Sequence, residues 1–201
     1  MNQLVKNKVK QFLSEKRYFH SLAVADTAQK LAVLWKSDPE KAYLTGLLHD
    51  IGKELSLSEM QDYLFDTSLL PEERVSKELL HAKVGAKIAK ENFEVDDPEI
   101  LEAIREHTIG GEKMTVLSKI LYVSDYIALG RNHDGVEAAR LLSCQDLDQT
   151  MVFILQKTIK YLNDEKKWIH PMTERVLDQI LTELDERRIK ELDGKRNATP
   201  N

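Results

Sequence analysis

The chain of 201 residues has one cysteine, Cys144. No disulfide can form within it, and this usage fits a reducing compartment, the cytoplasm. Glycine (8) and proline (5) are sparse. Long period-2 runs are missing too, which leaves few strand signals. No apolar run approaches the ~20 residues of a membrane span. Residues 1–20 lack the apolar core of a signal peptide. Positive charge is also short: 29 Lys and Arg stand against 34 Asp and Glu, a net charge of −5. That argues against a general nucleic-acid binder, which carries a basic face. An anionic small substrate remains compatible, because a bound metal can dominate the local field.

What is present is helical periodicity. The hydrophobic share of 42% is enough for one core, and the charged share of 31% is ordinary for a soluble protein. The expected fold is all-α, a helical bundle in one domain over residues 1–193, with a disordered polar tail at 194–201. A first helix is expected over 2–15. The stretch Arg17 to Ser21 follows it and precedes a second helix that ends near Trp35. Ser37-Asp38-Pro39-Glu40 starts a third helix, with a capping side chain before proline. Ser56 and Glu59 have capping-box spacing, and Asp97-Pro98 caps another start. Residues 66–77 read as loop and short turns. Helices are then expected over 79–92, from the 96–99 cap to His107, and over 115–129, 136–143, 146–163 and 172–192.

The chain is organised around Leu44 to Lys53, LTGLLHDIGK. This is an apolar helix pattern closed by an adjacent imidazole and carboxylate, His49 and Asp50. A buried His–Asp pair is costly unless a cation or a set of hydrogen bonds compensates it. Both readings stay open for that pair alone. Asp125 interrupts the apolar run Ile120 to Ile127 and is equally either a paired carboxylate or a metal ligand. His20, His81 and His107 each lie near an end of, or on, a mainly apolar helix. Each one alone is compatible with an ordinary structural histidine.

Their order, His20, His49-Asp50, His81, His107 and Asp125, resembles that of the HD-domain metal-dependent phosphohydrolases. The stretches Arg17-Tyr18-Phe19-His20-Ser21, His49-Asp50-Ile51-Gly52-Lys53, Leu80-His81-Ala82-Lys83-Val84-Gly85-Ala86, His107-Thr108-Ile109-Gly110 and Tyr122 to Ile127 look like the YqeK family within them. Those proteins are bacterial symmetrical bis(5'-nucleosyl)-tetraphosphatases. The resemblance covers roughly residues 3–185. It implies one metal, iron, held by His20, His49, Asp50 and Asp125, with manganese or a binuclear centre as alternatives. It implies that His81 and His107 hold a second metal or contact phosphate. It also implies nucleotide contacts from His20, Asp50, Ile51, Gly52, Lys53, His81, His107, Thr108, Asp125 and Arg131.

The implied reaction splits diadenosine tetraphosphate into two ADP, with a metal-activated water attacking phosphorus. Asp50 and Lys53 are the candidate catalytic side chains: Asp50 for the water proton, Lys53 for phosphate charge. Another nucleotide phosphohydrolase of the same fold, or a non-catalytic nucleotide-binding module, are the competing readings. A homodimer is left open. The sequence departs from the family after Asp125. It reads Ile127-Ala128-Leu129-Gly130-Arg131-Asn132-His133-Asp134-Gly135-Val136 where the family has Ile-Glu-Pro and a Phe-Pro-Gly-Val. His133-Asp134 reads as surface. The turn His170-Pro171-Met172-Thr173, followed by Glu174 and Arg175, matches a family segment that approaches the nucleotide.

Overall fold

The computed structural model describes residues 3–64 and 69–197. Among these the chain folds into helices α1 (Gln3–Phe12), α2 (Glu15–Leu34), α3 (Pro39–Leu48), α4 (Leu57–Tyr63), α5 (Pro71–Arg74), α6 (Lys77–Phe93), α7 (Pro98–Glu106), α8 (Val116–Ile127), α9 (Val136–Ser143), α10 (Leu147–Asp164) and α11 (Pro171–Asn197), with no strand. Local chemistry sets many of the boundaries. Asp38 accepts the amide protons of Glu40 and Lys41 ahead of Pro39, and Asp97 accepts that of Glu99 ahead of Pro98. Ser56 and Glu59 form a reciprocal capping box at the start of α4.

Three boundaries differ from the sequence expectation. Residues 17–21 do not precede the second helix but lie inside it, since α2 starts at Glu15. Residues 21, 24, 25, 28, 31 and 32 are then its buried stripe, so Arg17, His20 and Ser21 share the core-facing side. The 66–77 stretch contains a short helix, α5, where the Leu70 amide donates to Glu73 Oε2 at 2.8 Å; residues 66–68 lie outside the described part. The last helix runs through Gly194 to Asn197 instead of stopping at 192. One glycine costs a helix about 1 kcal/mol, which a helix of this length tolerates. Residues 198–201 of the expected tail lie outside the described part.

The core lies where α2, α3, α6, α7, α8 and α10 meet, around Val24, Leu47, Leu48, Ile88, Ile104, Leu121 and Ile154. Two glycines set the closest approaches. A Cβ on Gly46 would lie 2.7 Å from Ala25 Cα, so α3 can seat against α2 backbone to backbone. A Cβ on Gly52 would lie 2.8 Å from the His81 carbonyl oxygen. The turn after α3 therefore rests directly on α6. Among the described residues no helix is long and apolar enough to cross a membrane.

Candidate metal centre

The close seating of α3 on α2 and of the following turn on α6 brings together side chains far apart in the chain. His20 comes from α2, His49 and Asp50 from the end of α3, His81 from α6, His107 from the end of α7 and Asp125 from α8. His20, His49 and Asp50 offer ligand atoms within 4.8 Å of one another, and so do Asp50, His81 and His107. Asp125 Oδ1 closes the first group, 2.9 Å from His20 Nε2 and 3.8 Å from His49 Nε2. All six candidate ligands of the sequence thus meet around the shared carboxylate of Asp50.

The donor set fits a cation. His49 is fully buried, and its Nδ1–H donates to the Gly46 carbonyl at 2.8 Å. That fixes the lone pair on Nε2, which has no hydrogen-bond partner and points at Asp50 Oδ2 (3.6 Å). A buried polar atom without a partner costs roughly 1–3 kcal/mol. His107 Nδ1–H donates to the Ile104 carbonyl at 2.6 Å, and His81 Nδ1–H to that of Lys77 at 3.3 Å. Their Nε2 atoms lie 3.1 Å from each other and 3.7 and 3.2 Å from Asp50 Oδ1. Three polar atoms converge there, an arrangement that a positive ion would satisfy.

The electrostatics agree. Burial pushes the His49 imidazole down to about 4, outweighing the pull of Asp50 and Asp125. Burial also lowers His81, against the hydrogen bond to Asp50. Burial opposes ionisation of Asp50, yet His49, the hydrogen bonds to His107 and His81, and Lys53 together hold its carboxyl well below the ordinary range. Asp125 is held far down in the same way: burial is outweighed by the His20 hydrogen bond and by the charges of His49 and Arg131. At neutral pH His49 and His81 are therefore neutral imidazoles and Asp50 and Asp125 ionised carboxylates, the ligand state a metal requires.

Lys53 and Arg131 supply the fixed cations. α3 ends at Leu48, but a turn continues it, with the Lys53 amide on the Asp50 carbonyl at 2.9 Å. Lys53 Nζ lies 3.2 Å from Asp50 Oδ1. Arg131 donates from Nε to the Asp125 carbonyl at 2.9 Å and from Nη2 to Asp125 Oδ1 at 2.5 Å. Both residues, with His81, His107, Thr108 and Asp125, line a cavity of about 260 Å³ over the cluster. Ile51 is buried in the core and Gly52 lies under α6, so what these two offer a ligand is backbone.

The turn at 170–175 does not join this cavity. His170 accepts the Met172 amide proton at Nδ1 (3.0 Å), and its Nε2 lies 3.5 Å from Glu73 Oε1. Thr173 is buried and donates to the Ile109 carbonyl at 3.2 Å. Pro171, Glu174 and Arg175 are exposed. The segment braces the turn after His107 through Thr173, and the polar side chains of His170 and Thr173 are committed to the protein.

Sequence reasoning missed four side chains near the cluster. Arg17 Nη1 lies 3.8 Å from Asp50 Oδ2, and its i,i+3 spacing to His20 was a usable signal once α2 is started at Glu15. Tyr126 and His133 line the cavity, their rings edge to face at 4.3 Å; His133 is exposed, as expected, yet forms a wall. Arg140 donates to the carbonyls of Ile127 (2.9 Å), Ala128 (3.1 Å) and Arg131 (3.0 Å) and so shapes the loop that carries Arg131.

A helical bundle with this His/Asp cluster defines a metal-dependent hydrolase class: residues 17–130 match the HD domain, and the chain belongs to the HD-domain family. Within it the chain is of the YqeK type. It is 35% identical over 178 residues to the symmetrical bis(5'-nucleosyl)-tetraphosphatase of Halalkalibacterium halodurans, covering 87% of this chain and 94% of that one. The Bacillus subtilis protein of the same name is 36% identical over 167 residues, 82% of this chain and 89% of its own. A crystal structure from Clostridium acetobutylicum, described as a predicted HD superfamily hydrolase involved in NAD metabolism, superposes with a TM-score of 0.86 at 34% identity. It covers 90% of this chain and 96% of that one.

Proposed function

We propose that the protein hydrolyses diadenosine tetraphosphate and related dinucleoside polyphosphates symmetrically, releasing two nucleoside diphosphates. The observation that carries the reading is the partnerless Nε2 of the buried His49, set among the Asp50 and Asp125 carboxylates. The relatives above, named for this reaction over most of their length, support the choice of substrate.

His20, His49, Asp50 and Asp125 would hold one divalent ion, and His81 and His107 with Asp50 a second. Iron is our assignment; two imidazoles and two carboxylates also suit manganese. When bound, the cation supplies Lewis acidity to phosphate and lowers the pKa of water. In this reading Asp50 orients a water and accepts its proton; that both its oxygens face the cluster supports the role. Lys53 and Arg131 neutralise phosphate oxygens, Lys53 as a compact charge and Arg131 as a fork. His81 and His107 have Nδ1 committed to carbonyls, so they donate to a phosphate oxygen from Nε2 only as imidazolium. These cations count most as charge grows on the departing diphosphate.

We read residues up to 193 as one catalytic domain, and the exposed thiol of Cys144 as compatible with a cytoplasmic setting. The test is anaerobic purification with metal quantification, followed by product analysis on diadenosine tetraphosphate. Two ADP per substrate is the expected result. AMP plus ATP, or no turnover by metal-loaded protein, overturns the reading in favour of another nucleotide phosphohydrolase or a binding module.

A further inference from the structure

A symmetrical cut needs the scissile bond at the metal centre and a nucleoside diphosphate on each side of it. The cleft has that form. Arg131 lines three contiguous hollows: the small one over the cluster, a second of about 850 Å³ and a third of about 630 Å³. The third lies on the α10 side, walled by Tyr126, His133 and Tyr161. The second lies between the start of α2 and the loop after α8, and opens onto His20, Asp50 and Lys53. The second and third are each within the range of ligand sites, roughly 300–1,000 Å³.

Resting on the functional reading above, we propose that the second hollow is a nucleoside-diphosphate subsite, with Arg17 as its phosphate clamp and Phe19 and Leu129 as its base platform. Arg17 is held ready for that task. Its Nε binds Glu54 Oε1 at 3.1 Å, and Ser14 fixes the same oxygen through its amide (3.2 Å) and hydroxyl (2.5 Å). The acid of this hollow is thereby engaged, while the Arg17 Nη1 end turns toward Asp50 (3.8 Å) and the cluster. Oriented in this way, the guanidinium loses little freedom on taking a phosphate. Phe19 and Leu129 are 59% and 85% exposed and face the same hollow. Two large apolar side chains held in water beside a cationic clamp suit the face of a nucleobase. The tetraphosphate then crosses the cluster along Lys53 and Arg131, with one nucleoside in each outer hollow, and the two products are left one per side.

The test is calorimetric titration of the metal-loaded full chain with ADP, together with kinetics on diadenosine tetraphosphate and on adenosine 5'-tetraphosphate, which has one nucleoside. The wild-type chain is expected to bind two ADP. Arg17→Ala is expected to bind one, as is the double variant Phe19→Ala/Leu129→Ala, which truncates two exposed side chains and leaves Arg17 intact. The double variant should raise KM for diadenosine tetraphosphate about tenfold and that for adenosine 5'-tetraphosphate by a smaller factor. One ADP per wild-type chain, two in both variants, or equal loss on both substrates overturns the subsite. Failure of the wild type to cleave diadenosine tetraphosphate overturns the functional reading instead, and the ADP count still decides the subsite.

Discussion

His81 Nε2 and His107 Nε2 face each other across 3.1 Å, and each ring has its other nitrogen on a backbone carbonyl. Neither ring can donate to the other while both are neutral, so the pair is built around something positive. His107→Ala should keep the ion held by His20, His49, Asp50 and Asp125 while turnover falls roughly 10–100-fold. Metal quantification beside phosphate release measures both quantities in one preparation.

His49→Ala or Asp125→Ala should empty the first site and abolish hydrolysis. Lys53→Ala should retain the metal and slow turnover, since its ammonium lies 3.2 Å from Asp50 Oδ1 without being a metal ligand. Unchanged kinetics in the lysine variant would return Lys53 to the role of a solvated charge.

Acid should weaken the metal-free protein in a window set by His49. Its imidazole is pushed down from 6.5 to about 4 by burial, so the unfolded chain takes up a proton that the folded chain refuses. The stability is intact above the unfolded value of 6.5 and is lost as pH falls toward 4, up to about 3 kcal/mol. Asp50 and Asp125 are shifted in the carboxylate range, and their contribution is lost only at lower pH still. Thermal unfolding of chelated protein at pH 7.5, 6 and 5 should show a falling Tm, and His49→Gln should flatten that trend.

Gly46→Ala should cost about 1–3 kcal/mol, because the added Cβ would meet Ala25 Cα at 2.7 Å and α3 must back away from α2. The same displacement separates His20 from His49. Tm should fall by a few degrees and turnover should fall with it. A variant with lowered Tm and full activity would show that the contact serves the fold alone.

Arg140→Ala should free the loop from Ile127 to Arg131 and raise KM with metal content unchanged. Arg140→Lys should not rescue it, since one ammonium cannot reproduce a guanidinium that reaches three carbonyls.

Much of this was legible in the sequence where the cause is local. Asp38-Pro39, Ser56 with Glu59, and Asp97-Pro98 fix their helix starts through their own hydrogen bonds. The six candidate ligands stood out because polar groups on apolar helices need a reason. Arg17 was lost when the start of α2 was put after it, which hid its shared face with His20. Arg140 and His133 act through a loop whose shape no periodicity records. The contacts of the turn at His170 were not legible because its partners, Glu73 and Ile109, are about 100 and 60 residues away.

His20 and Asp125 lie 105 positions apart, yet end 2.9 Å from each other. An ion gripped there would staple the start of the bundle to its far side, and the unfolded chain offers it no comparable grip. Its affinity is then folding free energy, so a chelator should act as a denaturant as well as an inhibitor.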